Sequence, residues 1–115
     1  MVEIEQGEIW WADLPEPTGS VAGFERPVVI VQANTLNRSR IATALCVPFT
    51  SNLRWAAAPG NVELDAETAG LPKDSVAIPA LMLALDRRAL IRRVSKLPPK
   101  RVAQILTGID IVLGR

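Results

Sequence analysis

Two apolar, β-branched runs dominate the hydrophobic pattern of the chain. The first lies within residues 23–34, GFERPVVIVQAN, and the second within residues 45–52, LCVPFTSN. Each run is flanked by polar or charged residues, which is typical of a strand that is buried on at least one face. If the two strands pair, Arg26 at the start of the first and Thr50 at the end of the second lie on the same rim of the sheet. We expect the functional site at this rim.

The rest of the pattern predicts further short strands and one long helix. Glu8–Leu14 predicts a first strand, on which Trp10 and Trp11 point to opposite faces. We place the second strand at residues 26–32, where Pro27 is tolerated because it lies at the strand's end. A third strand is predicted at 41–49, where Pro48 bends it or brings it to an edge, and further strands are predicted at 62–64, 75–78, 81–85 and 89–94, with an interruption at Pro79.

Two helical elements complete the prediction. Residues 65–70 form a helical turn that Asp65 caps and Gly70 stops. A longer helix starts at Pro98 and ends at Gly114, and its apolar residues at helical spacing are Val102, Ile105, Leu106, Ile109 and Leu113.

Two long loops separate the early strands. Residues 15–25 and residues 52–61 contain prolines and glycines and no hydrophobic period. A loop of this length within a compact domain is more often functional than idle, and the first one leads directly to Arg26. The predicted fold is mainly β (α+β): a strongly bent antiparallel sheet or partly open barrel of five to seven short strands, with a helix packed against it.

Composition limits the class of protein. The chain has 115 residues, which fits one domain over 1–115, and 49% of them are hydrophobic, which excludes general disorder. No apolar run approaches the ~20 residues of a membrane helix, and the acidic start MVEIEQGE does not resemble a signal peptide. We therefore expect a cytoplasmic protein. Cys46, the single cysteine, lies in an apolar strand and is predicted to be a core residue.

Charges are segregated along the chain, although the net charge is only +1. Residues 1–25 carry acids and no base, residues 26–60 carry arginines and no acid, residues 61–86 carry acids and Lys73 alone, and residues 87–115 are strongly basic. A folded surface with such a distribution can present a basic patch to phosphates or to an acidic peptide. The alternative is that these charges only form solvated faces.

The residue types present exclude most catalytic arrangements. The chain has no histidine and no tyrosine, so Ser-His-Asp and Cys-His arrangements and histidine-based zinc sites are absent. No glycine-rich nucleotide-binding motif occurs, and the acids occur singly in loops and turns without calcium-loop spacing. Catalysis by this chain would therefore depend on Arg, Thr, Ser and Glu, with no cofactor and no metal.

One reaction class suits this set of residues. When a ribose 2′-hydroxyl attacks its own phosphodiester, the substrate supplies both nucleophile and leaving group, and the protein has to align atoms and neutralise charge. A guanidinium and a hydroxyl, such as those of Arg26 and Thr50, perform this task well. Arginine is a poor general base because its pKa lies above about 12, so the base stays open, with Glu25 as the nearest candidate in the sequence. The alternative is that Arg26 is a strand-end charge and Thr50 an ordinary strand residue.

A set of motifs that covers nearly the whole chain resembles the MazF/PemK (Kid) family of toxin endoribonucleases. The motifs are GEIWWADLPxPxGS, RPVVIVQ, VPFTSN, GLPKDSV and LDxxxL, in this order. The resemblance implies a small SH3-like barrel shared with the CcdB toxins and a homodimer. It also implies metal-independent cleavage of single-stranded mRNA at short sequences, leaving 2′,3′-cyclic phosphate and 5′-hydroxyl ends. A cognate antitoxin with an acidic, partly disordered tail would neutralise the toxin by covering the RNA groove.

The family's catalytic arginine and threonine fall on Arg26 and Thr50. We assign RNA binding to residues in the two long loops and at the end of the third strand, namely Ser20, Gly23, Ser51, Asn52 and Trp55. Two positions depart from the family pattern. Val21 follows Gly19-Ser20 where the family often has an acid, and Leu81 stands where it often has a base-contacting glutamine. An apolar strip at 78–83 could instead serve a protein interface.

Two other functions stay open. The CcdB branch of this fold poisons DNA gyrase by binding it, and a family member with weakened catalysis could persist as an antitoxin-binding protein. The tryptophans are expected in the core or an interface, with Trp55 as the best candidate for base stacking. The arginines at 87, 88, 92 and 93 are interpreted as a solvated or dimer-rim cluster, with contact to the RNA backbone as the alternative.

Overall fold

The structure is a computed structural model that describes residues 1–14 and 24–115. Its strands are β1 (Glu8–Leu14), β2 (Phe24–Ile30), β3 (Thr43–Thr50), β4 (Val62–Leu64), β5 (Ser75–Ala77), β6 (Leu83–Asp86) and β7 (Leu90–Lys96). Its α-helices are α1 (Asn34–Asn37), α2 (Ala66–Ala69) and α3 (Pro99–Leu113), and short 3₁₀ segments occupy Leu53–Ala57, Pro79–Leu81 and Arg87–Ala89.

The strands form an antiparallel sheet in the order β4-β5-β3-β2-β1-β7, with β6 paired to β3. Strand β3 therefore has three partners, because β2 follows one of its edges while β5 and β6 share the other. In the described part of the chain the sheet does not close into a complete barrel. The predicted architecture, a bent antiparallel sheet with a C-terminal helix, is confirmed.

Both faces of the sheet are covered by apolar side chains. Trp11 packs against a core that includes Ile9, Phe49 and Ile105 of α3, whereas Trp10 belongs to a second core with Cys46. Alternation along β1 directs the two tryptophans to opposite faces, as the sequence predicts. Cys46 is fully buried, and this burial raises the pKa of its thiol to about 12. Its predicted place in the core is confirmed.

The pairing of strand β3 with β2 ends at Pro48. Up to this residue β3 pairs with β2, in a register that joins Val28 to Pro48, and beyond it Phe49 pairs with Ala77 of β5. The Pro48 carbonyl accepts a hydrogen bond from the Ile78 amide at 3.0 Å. The first residues of β2 therefore have no strand neighbour on the β3 side.

Two sequence-based boundaries, at the start of β2 and at Leu81, were wrong. Strand β2 starts at Phe24, so Pro27 lies inside the strand and not at its end. It is tolerated there because β3 has already left that edge, and no partner strand requires its missing N–H. Leu81 was predicted within a strand, but it ends the 3₁₀ segment that follows Pro79, and β6 begins only at Leu83.

The helix signals were read correctly, with one exception at the C-terminus. Asp65 caps α2 by accepting the Thr68 amide at 2.7 Å, and Gly70 ends it with φ of 73°. Gly114 ends α3 in the same left-handed conformation, but Leu113 in the last turn is 56% exposed because α3 runs past the core. Within the described residues, no helix has the length and apolar character needed to cross a membrane.

The arginine cluster is not uniformly solvated. Arg87 is 3% exposed and donates from Nη1 to the Val2 carbonyl at 3.1 Å and from Nη2 to the Asn37 carbonyl at 2.9 Å. The prediction of a solvated cluster was therefore wrong for Arg87, since two distant segments bring their carbonyl groups to it. Arg88, by contrast, is exposed and pairs with Asp86 at 2.9 Å.

Candidate functional site

A cleft of about 370 Å³ opens where β2 and β3 separate. Four consecutive residues of β2, Phe24 to Pro27, contribute to it. Side chains along a strand alternate between the two faces, so a cleft that takes every residue follows the edge of the strand. The other lining residues are Trp11, Phe49, Thr50, Ser51, Leu71, Pro72, Lys73 and Ser75.

The strand register places Arg26 opposite Thr50. The pairs Ile30 with Cys46 and Val28 with Pro48 define a constant antiparallel step, and one further step of two residues on each strand leads from Val28 to Arg26 and from Pro48 to Thr50. The ladder itself has ended at this point, since Thr50 pairs with Val76 of β5. The two side chains therefore face each other across an open end of the sheet, and both line the cleft, as expected from the sequence.

The Arg-Pro dipeptide explains why the guanidinium is held here. The Val31 amide donates to the Leu45 carbonyl at 3.0 Å, and the same register directs the backbone of residue 27 towards Phe49. Proline has no N–H to donate. The Arg26 side chain donates instead, from Nη1 to the Phe49 carbonyl at 3.3 Å. A side chain thus replaces the backbone donor and is fixed beside Thr50.

An aromatic ring completes the support of Arg26. The guanidinium carbon lies 4.8 Å from the centroid of the Phe24 ring, a cation–π distance. Neither the carbonyl nor the ring carries a full negative charge, and among the described residues no carboxylate forms an ion pair with Arg26. The positive charge is therefore available to an anionic group in the cleft.

The hydroxyl of Thr50 is oriented by its own turn. Its Oγ1 accepts the Asn52 amide at 3.2 Å, and within the described residues no group accepts its hydroxyl hydrogen, which can donate to a ligand. Ser51 lines the cleft next to it. The Asn52 side chain caps the following 3₁₀ segment, because its Oδ1 accepts the Arg54 amide at 3.3 Å.

Glu25 also lines the cleft, and its side chain is exposed. As neighbours on a strand, Glu25 and Arg26 leave β2 on opposite faces. The two groups can therefore act on one phosphate only if it lies at the edge of the strand, where the cleft runs.

The remaining predicted site residues are either outside the described part of the chain or outside the cleft lining. Ser20 and Gly23, together with Val21, fall outside the described residues. Asn52 and Trp55 do not line the cleft, and Trp55 is 48% exposed with its ring 5.5 Å from the Arg54 guanidinium carbon. Leu81 is 57% exposed and also lies outside the lining.

Two lining residues were missed by the sequence reasoning. Lys73 follows Leu71 and Pro72 in the turn before β5, and the pairing of β3 with β5 brings this turn to Thr50. The available signal was its position as the lone base of an acidic segment, inside the GLPKDSV motif. Trp11 was assigned to the core or an interface, yet it packs on the core and lines the cleft as well.

Among the described residues, no group of three or more His, Cys, Asp and Glu side chains is placed to hold a metal ion. The polar groups of the cleft are instead a guanidinium, an ammonium, hydroxyls and one carboxylate. This combination is suited to holding an anion and donating hydrogen bonds to it.

The bent antiparallel sheet and the C-terminal helix define a small, mainly β protein, and its edge cleft carries polar groups suited to an anion. The family model described as "PemK-like, MazF-like toxin of type II toxin-antitoxin system" matches residues 5–113. The chain belongs to this family.

Curated relatives agree with this assignment. The chain is 40% identical over 110 residues to Endoribonuclease MazF6 of Mycobacterium tuberculosis strain H37Rv, and the match covers 96% of each protein. It is 32% identical over 111 residues to Endoribonuclease MazF of Staphylococcus saprophyticus, which covers 96% of this chain and 92% of the relative.

Solved structures share the fold. A mycobacterial endoribonuclease in complex with its cognate antitoxin superposes with a TM-score of 0.77 at 22% identity, covering 96% of this chain and 95% of the other. The MazE-MazF structure (Form-II) from Deinococcus radiodurans gives 0.79 at 20% identity, with 99% and 98% covered. The predicted CcdB/MazF-like toxin fold is confirmed.

Proposed function

We propose that this chain is an endoribonuclease toxin that cleaves single-stranded RNA, chiefly mRNA, at short sequences and without a metal ion. The observation that carries this proposal is the placement of Arg26 and Thr50 across the open end of β2 and β3, in one cleft. The curated relatives named endoribonucleases support the same activity. A phosphodiester fits the cleft because it is anionic and its oxygens accept hydrogen bonds.

In the proposed reaction, a ribose 2′-hydroxyl of the RNA attacks the adjacent phosphorus. The bond from phosphorus to the 5′-oxygen of the next nucleotide breaks, the 2′-hydroxyl loses its proton to a base, and the leaving oxygen gains one. The products are a 2′,3′-cyclic phosphate and a 5′-hydroxyl. Arg26 neutralises the charge that develops on the phosphorane oxygens, and Thr50 donates its free hydroxyl hydrogen to one of them.

Glu25 is the proposed acceptor of the 2′-hydroxyl proton. Among the described residues it is the carboxylate that lines the cleft, and its side chain is exposed. Because its side chain leaves β2 opposite to Arg26, the reacting phosphate has to lie along the strand edge between them. Ser51 binds the RNA from the end of β3, and Asn52 contributes by fixing the turn that orients Thr50.

We further propose that the toxin is a homodimer that acts in the cytoplasm on cellular RNA and is neutralised by a cognate antitoxin. The acidic, partly disordered tail of this antitoxin would lie over the same cleft. The positive charges of Arg26 and Lys73 in this cleft support an acidic partner at the site. A structural relative has been solved with its cognate antitoxin, which supports the same type of partner.

The test is cleavage of a long single-stranded RNA in EDTA by the wild type and by Arg26→Ala, Thr50→Ala and Arg88→Ala, with ends mapped by primer extension. We expect cuts at a recurring short motif, their loss in the first two variants, and full activity in the exposed control Arg88→Ala. A folded, dimeric wild type that cuts none of the RNAs would overturn the proposal. Gyrase supercoiling and antitoxin-binding assays would then separate the two alternatives that the sequence leaves open.

A further inference from the structure

We propose that Trp11 is the platform on which one base of the RNA stacks in the cleft. This inference rests on the proposed function, since it specifies how the same cleft holds its substrate. It replaces Trp55, the stacking candidate suggested by the sequence, with a residue that the fold brings next to Arg26.

The position of Trp11 follows from the pairing of β1 with β2. Trp11 pairs with Pro27, the residue that follows Arg26 on β2. The indole leaves the sheet on the face opposite to the Arg26 side chain, and both groups reach the cleft at the strand edge. The ring is half-buried. It packs against the core that contains Phe49 and also lines the cleft. Because the core holds the ring on one side and the cleft leaves the other side open, the ring loses little conformational entropy when a base stacks on it.

The other aromatic rings of the described cleft lining are buried or covered by another side chain. Phe49 is 1% exposed and has no face to offer. One face of Phe24 is covered by the guanidinium of Arg26, whose carbon lies 4.8 Å from the ring centroid. Among the described residues that line the cleft, Trp11 therefore provides the largest aromatic surface without an assigned partner.

The surrounding chemistry fits a single-stranded nucleotide. Proteins that bind single strands combine cations for the backbone with aromatic rings for unstacked bases. Here Arg26 supplies one cation from β2 and Lys73 another from the turn before β5, and both line the cleft with Trp11. A base on the indole would leave its flanking phosphate at the strand edge, within the cleft that both cations line. The cleft volume of about 370 Å³ is at the lower end of the range for ligand sites and suits one nucleotide.

The other two tryptophans provide internal controls. Trp10 is 8% exposed in the core on the opposite face of the sheet. Trp55 is more exposed than Trp11 but lies outside the cleft lining and close to Arg54. Stacking at the site should therefore change the fluorescence of Trp11 and leave that of the other two nearly unchanged.

The experiment compares the wild type with Trp11→Leu, Trp11→Phe and the control Trp55→Leu, after circular dichroism and thermal unfolding have established that each variant is folded. The probe is an RNA oligonucleotide that spans a mapped cleavage site and carries a 2′-deoxy nucleotide on the 5′ side of the scissile bond. We expect it to quench the fluorescence of the wild type and of Trp55→Leu, and not that of either Trp11 variant. Affinity should fall about tenfold in Trp11→Leu and much less in Trp11→Phe, which keeps an aromatic face.

Abasic probes identify the base concerned. Removing one particular base should weaken binding to the wild type about tenfold and have little further effect on Trp11→Leu, because the stacking partner is already missing. If RNA quenches Trp11→Leu as fully as the wild type, or if every abasic substitution affects both proteins equally, the inference is wrong while the nuclease proposal stands. If the wild type neither binds nor cleaves RNA, the proposed function fails and this inference fails with it.

Discussion

Two clefts of this protein contain arginines, and they differ in what those arginines contact. The cleft at the open end of β2 and β3 has a volume of about 370 Å³, and Arg26 there meets a carbonyl group and an aromatic ring. The second cleft is larger, about 720 Å³, and is lined by residues 1–5 and by side chains that include Glu8, Arg87 and Arg93. Size alone would favour the second cleft as the functional site.

In the second cleft, Arg87 and Arg93 bond to groups of the protein itself. Arg93 pairs with Glu8 at 2.8 Å, and Glu8 also accepts the Trp10 indole N–H at 3.1 Å. Arg87 uses two of its nitrogens to hold the Val2 and Asn37 carbonyls. These arginines join distant segments of the chain, whereas no carboxylate in the described part of the chain pairs with Arg26 of the first cleft. The comparison indicates that the pairing of these arginines, rather than cleft volume, makes the first cleft the better candidate for a binding site.

The largest effect is expected for a conservative substitution of Arg26 in the first cleft. Arg26→Lys keeps the charge but loses the planar fork that bonds to the Phe49 carbonyl and to phosphate oxygens together. We expect the rate of RNA cleavage to fall about 10²-fold, the scale seen when one donor to a developing anion is lost, with little change in urea stability. Retention of more than half of the cleavage rate would show that Arg26 acts only as a point charge.

The sequence predicted the essentials of this first cleft because they are local. The Arg-Pro dipeptide in one strand, the threonine that ends the next and the proline at position 48 are each local features of the sequence. A two-strand register is then enough to bring Arg26 to Thr50. The cap at Asp65 and the stop at Gly70 are equally local. Such features can be read without knowing the rest of the fold.

What the sequence could not supply depends on contacts between distant segments. Lys73 reaches the cleft through the pairing of β3 with β5, and Trp11 reaches it through the pairing of β1 with β2. Burial of Arg87 requires carbonyls that lie 85 and 50 residues away. A run of arginines looks the same in sequence whether its members are solvated or buried, so only the fold separates Arg87 from Arg88.

The second-largest effect is expected for Arg87 and concerns stability. Arg87→Ala leaves the buried Asn37 carbonyl without its donor and opens a cavity, so we expect a loss of about 2 to 3 kcal/mol in the free energy of unfolding. Urea denaturation measures this loss, and the specific activity of the folded fraction should stay within about twofold. Arg88→Ala, whose side chain is 88% exposed, should change neither quantity noticeably. A greater loss of activity than of stability would move Arg87 into the functional machinery.

A smaller effect is expected for Lys73, the second cation of the first cleft. Lys73→Gln should raise KM about three- to tenfold at constant kcat, because one phosphate contact is lost while the reacting groups stay in place. The slope of log kcat/KM against log salt concentration should become shallower by about 0.7, the value for one phosphate on a single strand. Lys100→Gln on α3 makes the same change of charge outside the cleft and serves as the control. Equal salt slopes for the two variants would mean that Lys73 acts only through net charge.

The smallest effect concerns an ion pair beside the second cleft and depends on pH. The hydrogen bond and charge of Lys96 hold the pKa of the Glu5 carboxyl below its usual value, with Arg38 and Arg93 adding weaker contributions in the same direction. Because the pKa is lowered in the folded state, this pair stabilises the protein fully above the unfolded pKa, and the contribution disappears as pH falls through the folded pKa. Both side chains are about half exposed, so the gain in stability is slight. Carboxyl NMR titration of Lys96→Ala should show the pKa of Glu5 rising towards its ordinary value, while cleavage at neutral pH stays unchanged. If the pKa of Glu5 did not move, or if cleavage fell, the assignment of purely structural charges to the second cleft would be wrong.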